Sequence, residues 1–170
     1  NGCDVPAGQP GELWVSSPFV MYGYLDDPIS TAEVLTDGWY HTGDVFRQDE
    51  RGLYFFLDRI SAMIKTGGEN VYPNEVESVL RKHPSVMDCA VFSVPDPKWG
   101  EAVAAALVPE DGSIDLRDVH AFAKENLAGY RKPQYYTVLS ELPKTASGKT
   151  DRRALKESNS CTLTSIKELE

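Results

Sequence analysis

Ala102 to Val108 is the longest unbroken apolar run in the chain, and it limits the possible folds more than any other feature. A helix that crosses a bilayer needs about 20 apolar residues. This run is far shorter, so it reads as a strand. Val86 to Val94 reads as a second strand, separated from the first by a Pro95-Asp96-Pro97 loop, and Tyr135 to Leu139 as a third. Helical spacing surrounds them. Asn74 offers a helix cap with Glu77 three residues on, and Val76, Val79 and Leu80 then recur until His83-Pro84 stops the run. Asp115 opens a second helix with an inner face of Leu116, Val119, Phe122, Ala123 and Leu127. A last short helix is expected from about Lys149 to Lys156. Residues 59–157 therefore read as a small α+β domain, a short sheet with packed helices.

The preceding residues, 1–58, read as β-rich. Glu12-Leu13-Trp14-Val15 alternates, Gly23 and Pro28 punctuate, and Asp49-Glu50-Arg51-Gly52 makes a turn that would pair Val45-Phe46 with Leu53 to Phe56. An isolated hairpin is marginal in water, so this portion is expected to belong to a larger body. The start at Asn1-Gly2 without Met suits a piece of a longer protein. Residues 158–170 are polar and unpatterned and are expected to form a disordered tail.

With 17 Lys and Arg against 26 Asp and Glu, the formal charge of -9 argues against broad binding to nucleic acid or anionic membrane. Cys3, Cys89 and Cys161 show no CxxC spacing, which suggests neither a disulfide framework nor a zinc site, and a reducing cytoplasm is the expected location. His41, His83 and His120 are too dispersed for a metal set.

Three segments hold residues suited to chemistry. Tyr40-His41-Thr42-Gly43-Asp44 is expected at a strand-loop junction, where Asp44 can accept hydrogen bonds from a diol; the same residues also suit a tight turn. Ile64 to Pro73 joins Lys65 to Gly67-Gly68 and a helix start, which suits either a slender or anionic ligand or a plain Gly-Gly hairpin. Thr145 to Thr150 invites comparison with a phosphate-binding loop, but Pro143 stands where that motif needs Gly. What remains is a flexible loop carrying Lys149, either functional or solvated. Arg131, Lys132, Lys144, Lys149, Arg152 and Arg153 make the last third locally basic, as a phosphate site or a solvated face.

In order, Gly38 to Asp44, Asp58-Arg59 through Gly67-Gly68-Glu69-Asn70-Val71-Tyr72-Pro73 to Glu77, and Leu142 to Lys149 resemble the late core motifs of the adenylate-forming superfamily. That superfamily comprises acyl-CoA synthetases, peptide-synthetase adenylation domains and luciferases. The resemblance covers nearly all of Gly11 to Lys156. It implies the C-terminal portion of an acyl-CoA synthetase that uses ATP, Mg2+, a carboxylic acid and coenzyme A, completed by an upstream large domain. Under it, Asp44 holds ribose hydroxyls, Arg59 assists beside them, and Lys149 stabilises charge during adenylation. Gly67, Gly68 and Glu69 line a pantetheine tunnel, and Lys65 serves the second conformation. The hinge falls on Ser61, where the superfamily usually has Asp or Lys. The 170-residue chain alone is expected to be inactive. A carrier-loading adenylation domain and a non-catalytic module that kept the fold are the alternatives.

Overall fold

The computed structural model describes residues 2–157 and 163–168. The chain divides into two compact units, Asn1–Ser61 and Ala62–Glu170. The division falls just past the expected boundary at Asp58, because Asp58 and Arg59 complete a strand of the first unit.

The first unit is built on β1 (Pro10–Val15), helix α1 (Pro28–Val34), β2 (Leu35–Thr36), β3 (Trp39–Gln48) and β4 (Tyr54–Arg59). Strand β3 is central: β1 pairs with one edge, while β2 and β4 share the other, all antiparallel. Phe46 opposes Phe56 and Arg47 opposes Phe55, as the turn at Asp49 to Gly52 predicts. Helix α1 adds a short helix to the β-rich expectation. Asp27 accepts from the Ser30 N–H at 2.9 Å and the Ser30 hydroxyl at 2.7 Å, and Pro28 supplies a preset φ in the first turn. These bonds, the backbone one first, hold the Asp27 carboxyl below its usual range.

In the second unit, β5 (Ile64–Thr66) and β6 (Glu69–Val71) form a hairpin that leads into α2 (Pro73–Leu80). Then follow β7 (Val86–Asp96), β8 (Gly100–Pro109), α3 (Leu116–Asn126), β9 (Tyr135–Val138), α4 (Arg152–Glu157) and β10 (Thr164–Ser165). Strand β8 pairs along one edge with β7; its other edge takes β5 at Gly100 and β9, in parallel, at Ala104 to Leu107.

Alternation along β7 and β8 divides the core into two layers. Cys89, Val91, Val103, Ala105 and Leu107 face α2 and α3, together with Val76, Leu80, Val119 and Tyr136. Ala90, Phe92, Ala104, Ala106 and Val108 face the other way, onto Leu142 and Leu155. The alanines of β8 let both layers approach closely. Each fully buried Val or Leu contributes about 1.5–3 kcal/mol.

Three expectations for this unit are corrected. Helix α2 starts at Pro73, with Tyr72 before it and no side-chain cap, so Asn74 and Glu77 form no capping box. Proline at the first helical position has no N–H that needs capping. Helix α4 starts at Arg152, which leaves Lys149 in a loop. The polar tail is partly ordered: Thr164 and Ser165 pair with Tyr136 and Tyr135, and the Ile166 N–H donates to the Gln134 carbonyl at 3.0 Å. Edge strand β9 supplies the open backbone groups that recruit it. Residues 158–162 and 169–170 of the expected tail lie outside the described residues.

Candidate functional site

In the first unit Asp44 lies inside β3, opposite Arg59 of β4, rather than at a strand-loop junction. Gly43 takes up the distortion with φ +69 and donates its N–H to Glu12 Oε1 at 3.0 Å. Glu12 Oε2 accepts from the Trp14 indole at 2.8 Å, and Trp14 stacks on His41 with ring centroids 3.9 Å apart. Thr42 fixes the next residue, accepting the Asp44 N–H at 3.1 Å while donating to the Leu13 carbonyl at 2.8 Å.

Arg59 Nε stands 3.1 Å from Asp44 Oδ1, yet this buried oxygen accepts no hydrogen bond among the described residues. With Oδ1 buried against Arg59 and the Asp44 side chain 29% exposed, the other carboxylate oxygen is the one open to an incoming hydroxyl. Glu12 is a residue that sequence reasoning missed, since its reach to the Gly43 N–H depends on the β1–β3 register, in which Glu12 pairs with Val45.

In the second unit the β5–β6 hairpin carries Lys65, Gly67, Gly68 and Glu69. Lys65 and Glu69 are exposed, while Ile64 and Thr66 turn inward. Glu101 fastens the hairpin: its Oε2 accepts the Lys65 N–H at 2.9 Å and its Oε1 accepts the Ser93 hydroxyl at 2.8 Å. The Gly67 N–H donates to the Trp99 carbonyl at 3.1 Å. A cleft of about 350 Å³ opens here, lined by Gly67, Glu69, Trp99, Val103, Tyr130 and Gln134. Lys98 Nζ lies 4.4 Å from the Trp99 ring centroid. The Gly-Gly hairpin is present, and a cleft opens beside it. Trp99 and Glu101 were missed because they reach the hairpin only through the β5–β8 register, in which Thr66 pairs with Gly100.

The wall that carries Tyr130 is tied to α2 by Arg131, whose Nη1 stands 3.4 Å from Glu75 Oε2. Burial, and then the Glu75 carboxylate, push the Tyr72 phenol above its usual range.

Lys149 sits near the end of a loop that closes on itself. The Thr145 N–H donates to the Lys149 carbonyl at 2.8 Å, the Gly148 N–H to the Thr145 carbonyl at 2.9 Å and the Asp151 N–H to the Pro143 carbonyl at 2.8 Å. Buried Leu142 and Leu155 root the loop in the second core layer, whereas Ile64 and Val71 of the hairpin belong to the first. The Lys149 side chain is exposed and takes part in no ion pair among the described residues. Within the basic cluster, Arg131, Arg152 and Arg153 pair with Glu75, Glu77 and Glu157. No group of His, Cys, Asp and Glu suited to a metal occurs among the described residues. No described helix is long and apolar enough to cross a membrane.

The second unit is thus a layered α+β unit with a lysine loop on one core layer and a di-glycine hairpin on the other. Residues 75–149 match the family described as AMP-binding enzyme C-terminal domain. The chain is 49% identical over 150 residues to a feruloyl-CoA synthase of Amycolatopsis, covering 88% of this chain and 30% of that protein. A fatty acid–[acyl-carrier-protein] ligase of Streptomyces coeruleorubidus is 42% identical over 158 residues, with 92% and 30% covered. Among solved structures, the o-succinylbenzoate CoA synthetase of Bacillus subtilis, in complex with its acyl-adenylate intermediate, superposes with a TM-score of 0.85 at 37% identity, covering 91% of this chain and 32% of that one. The chain thus spans about a third of the length of the proteins it matches.

Proposed function

We propose that this chain forms part of an ATP-dependent acyl-CoA synthetase. In the first half-reaction a carboxylate oxygen attacks the α-phosphorus of ATP and pyrophosphate leaves, giving an acyl-adenylate. In the second the coenzyme A thiol attacks the acyl carbonyl and AMP leaves. The observation that carries this is the contrast between Lys149, exposed and without a carboxylate partner among the described residues, and Arg152, which is locked onto Glu77 three positions on. A cation held on a closed loop stabilises the charge that develops around the α-phosphate.

Asp44 would accept the ribose hydroxyls, with Arg59 beside it; the partly exposed Asp44 carboxylate, held in place by Arg59, supports this. Mg2+ would enter with the nucleotide. Gly67, Gly68 and Glu69 would line the path of the pantetheine arm, with Lys65 serving that step; the cleft at the hairpin, which Gly67 and Glu69 line, supports the part given to those two. Ser61 would be the hinge that exchanges the two faces, supported by its place in the 3-10 turn Ile60–Ala62 where the two compact units divide. Exposed Phe19, Tyr22 and Leu25 support cover by a larger domain of the same protein. A reducing, cytoplasmic setting accords with Cys89, buried without a disulfide.

The carrier-protein ligase among the relatives favours a second acceptor, a carrier-bound pantetheine thiol, used by the same face. The test is pyrophosphate release by the longer protein across short-chain, long-chain and aromatic acids, with CoA, with a carrier protein or with neither. Acid-dependent release plus a CoA thioester is expected. Release without acid dependence would overturn the assignment, and a thioester on the carrier alone would select the second acceptor.

A further inference from the structure

Strand β7 exposes one edge to no other strand among the described residues, and the backbone of Val91 on that edge is met by two charged side chains. Glu77 Oε1 accepts the Val91 N–H at 2.8 Å, and Arg152 Nε donates to the Val91 carbonyl at 3.0 Å. The two side chains meet at 2.6 Å, Arg152 Nη2 to Glu77 Oε1, and Glu77 is only 2% exposed. Arg81 backs the carboxylate from the far side, with Nη2 3.3 Å from Glu77 Oε2 and 2.9 Å from the Cys89 carbonyl that accepts its hydrogen bond.

Desolvating a carboxylate is costly unless its partners are well placed, and removing one partner leaves a buried charge. That cost fixes Arg152 in one position. Arg152 is also the first residue of α4 and follows directly on the Lys149 loop, whose other end is held by the bond from the Asp151 N–H to the Pro143 carbonyl. At the same junction Asp151 caps α4, its Oδ1 accepting the Ala154 N–H at 3.0 Å, but this bond is local to the helix, whereas Arg152 ties the loop to β7 and α2.

We propose that Arg152, gripped by Glu77 and the Val91 backbone, is the positioning residue for Lys149: it sets the direction of the lysine loop so that its ammonium reaches the reacting phosphate. This rests on the adenylation role given to Lys149 above. Arg152 touches no substrate and acts only through the loop.

The test is a double-mutant cycle in the longer protein, with acid-dependent ATP–pyrophosphate exchange for the first half-reaction and thioester formation from supplied acyl-adenylate for the second. Arg152→Ala is expected to lower the first by about 10- to 100-fold, mainly in kcat, and to leave the second within about threefold. Glu77→Gln, which retains the acceptor for Val91, provides a milder version. In a Lys149→Ala background Arg152→Ala should cost nothing further, because coupled sites are non-additive. Added guanidinium should restore part of the exchange to Arg152→Ala. The same fold-loss in both backgrounds, or equal loss in both half-reactions, would overturn the positioning role. If Lys149→Ala alone leaves exchange intact, the adenylation role itself fails, and that outcome is distinct from the other two.

Discussion

Gly67 lies against the face of Trp99 so closely that a methyl group added at its Cα would stand 2.7 Å from Trp99 Cε3. Its φ of +58 is also one that side-chain-bearing residues avoid. Gly67→Val must therefore both strain the hairpin and displace the indole that walls the cleft. In an enzyme carrying this chain, thioester formation from acyl-adenylate should fall by at least about tenfold while ATP–pyrophosphate exchange changes little. Single-turnover assays of each half-reaction check this, and a change in Trp fluorescence reports the displaced ring.

Asp44 should matter only when ribose hydroxyls are present. Hydrogen bonds to a charged acceptor contribute about 1.5–3 kcal/mol. Asp44→Ala should thus lower kcat/KM for ATP by roughly 10- to 100-fold. With 2′,3′-dideoxy-ATP the variant and the parent should differ little. Titrating both nucleotides against both proteins gives the comparison directly.

Leu80 is completely buried between α2 and the first core layer. Leu80→Ala should destabilise the second unit by about 2–5 kcal/mol, the usual cost of a cavity of that size. Urea denaturation followed by far-UV circular dichroism measures it.

Cys89 gives a pH dependence of known sign. Burial pushes its thiol up to about 12, from an ordinary value near 9.0. The stability this contributes is complete below about pH 9. It is lost as the pH rises from there through the folded value, because the unfolded thiol ionises and the buried one does not. The difference in urea midpoint between the parent and Cys89→Ala should therefore narrow from pH 8 to pH 11. Peptide mapping after neutral alkylation should find Cys3 modified and Cys89 protected until the chain unfolds.

What the sequence revealed and what it concealed follow from how local each signal is. The apolar alternation of β7 and β8 and the Asp115 cap, which accepts the Arg117 N–H at 2.8 Å, are local and were legible. Helix α1 was concealed because none of its residues is buried and they carry no periodic inner face. Glu77 looked like a capping residue from its spacing, yet its partners are Val91 and Arg152, far along the chain. The ordering of Thr164 and Ser165 depends on the open edge of β9, which no local pattern announces. Around the candidate site, Asp44, Gly67, Gly68 and Lys149 stand out by motif. Glu12, Trp99 and Glu101 become visible only once strand register brings them beside those residues.

Lys149 and the hairpin of Lys65 and Gly67 rest on different core layers of one small unit, an arrangement that suits successive use. The most direct measurement is the rate of each half-reaction in Lys149→Ala and in Gly67→Val, made in the longer protein. A crossed pattern is expected, with Lys149→Ala losing about 100-fold or more in acyl-adenylate formation yet still converting supplied acyl-adenylate to thioester, and Gly67→Val the reverse. Equal losses in both half-reactions for either variant would contradict the division of work between the two faces.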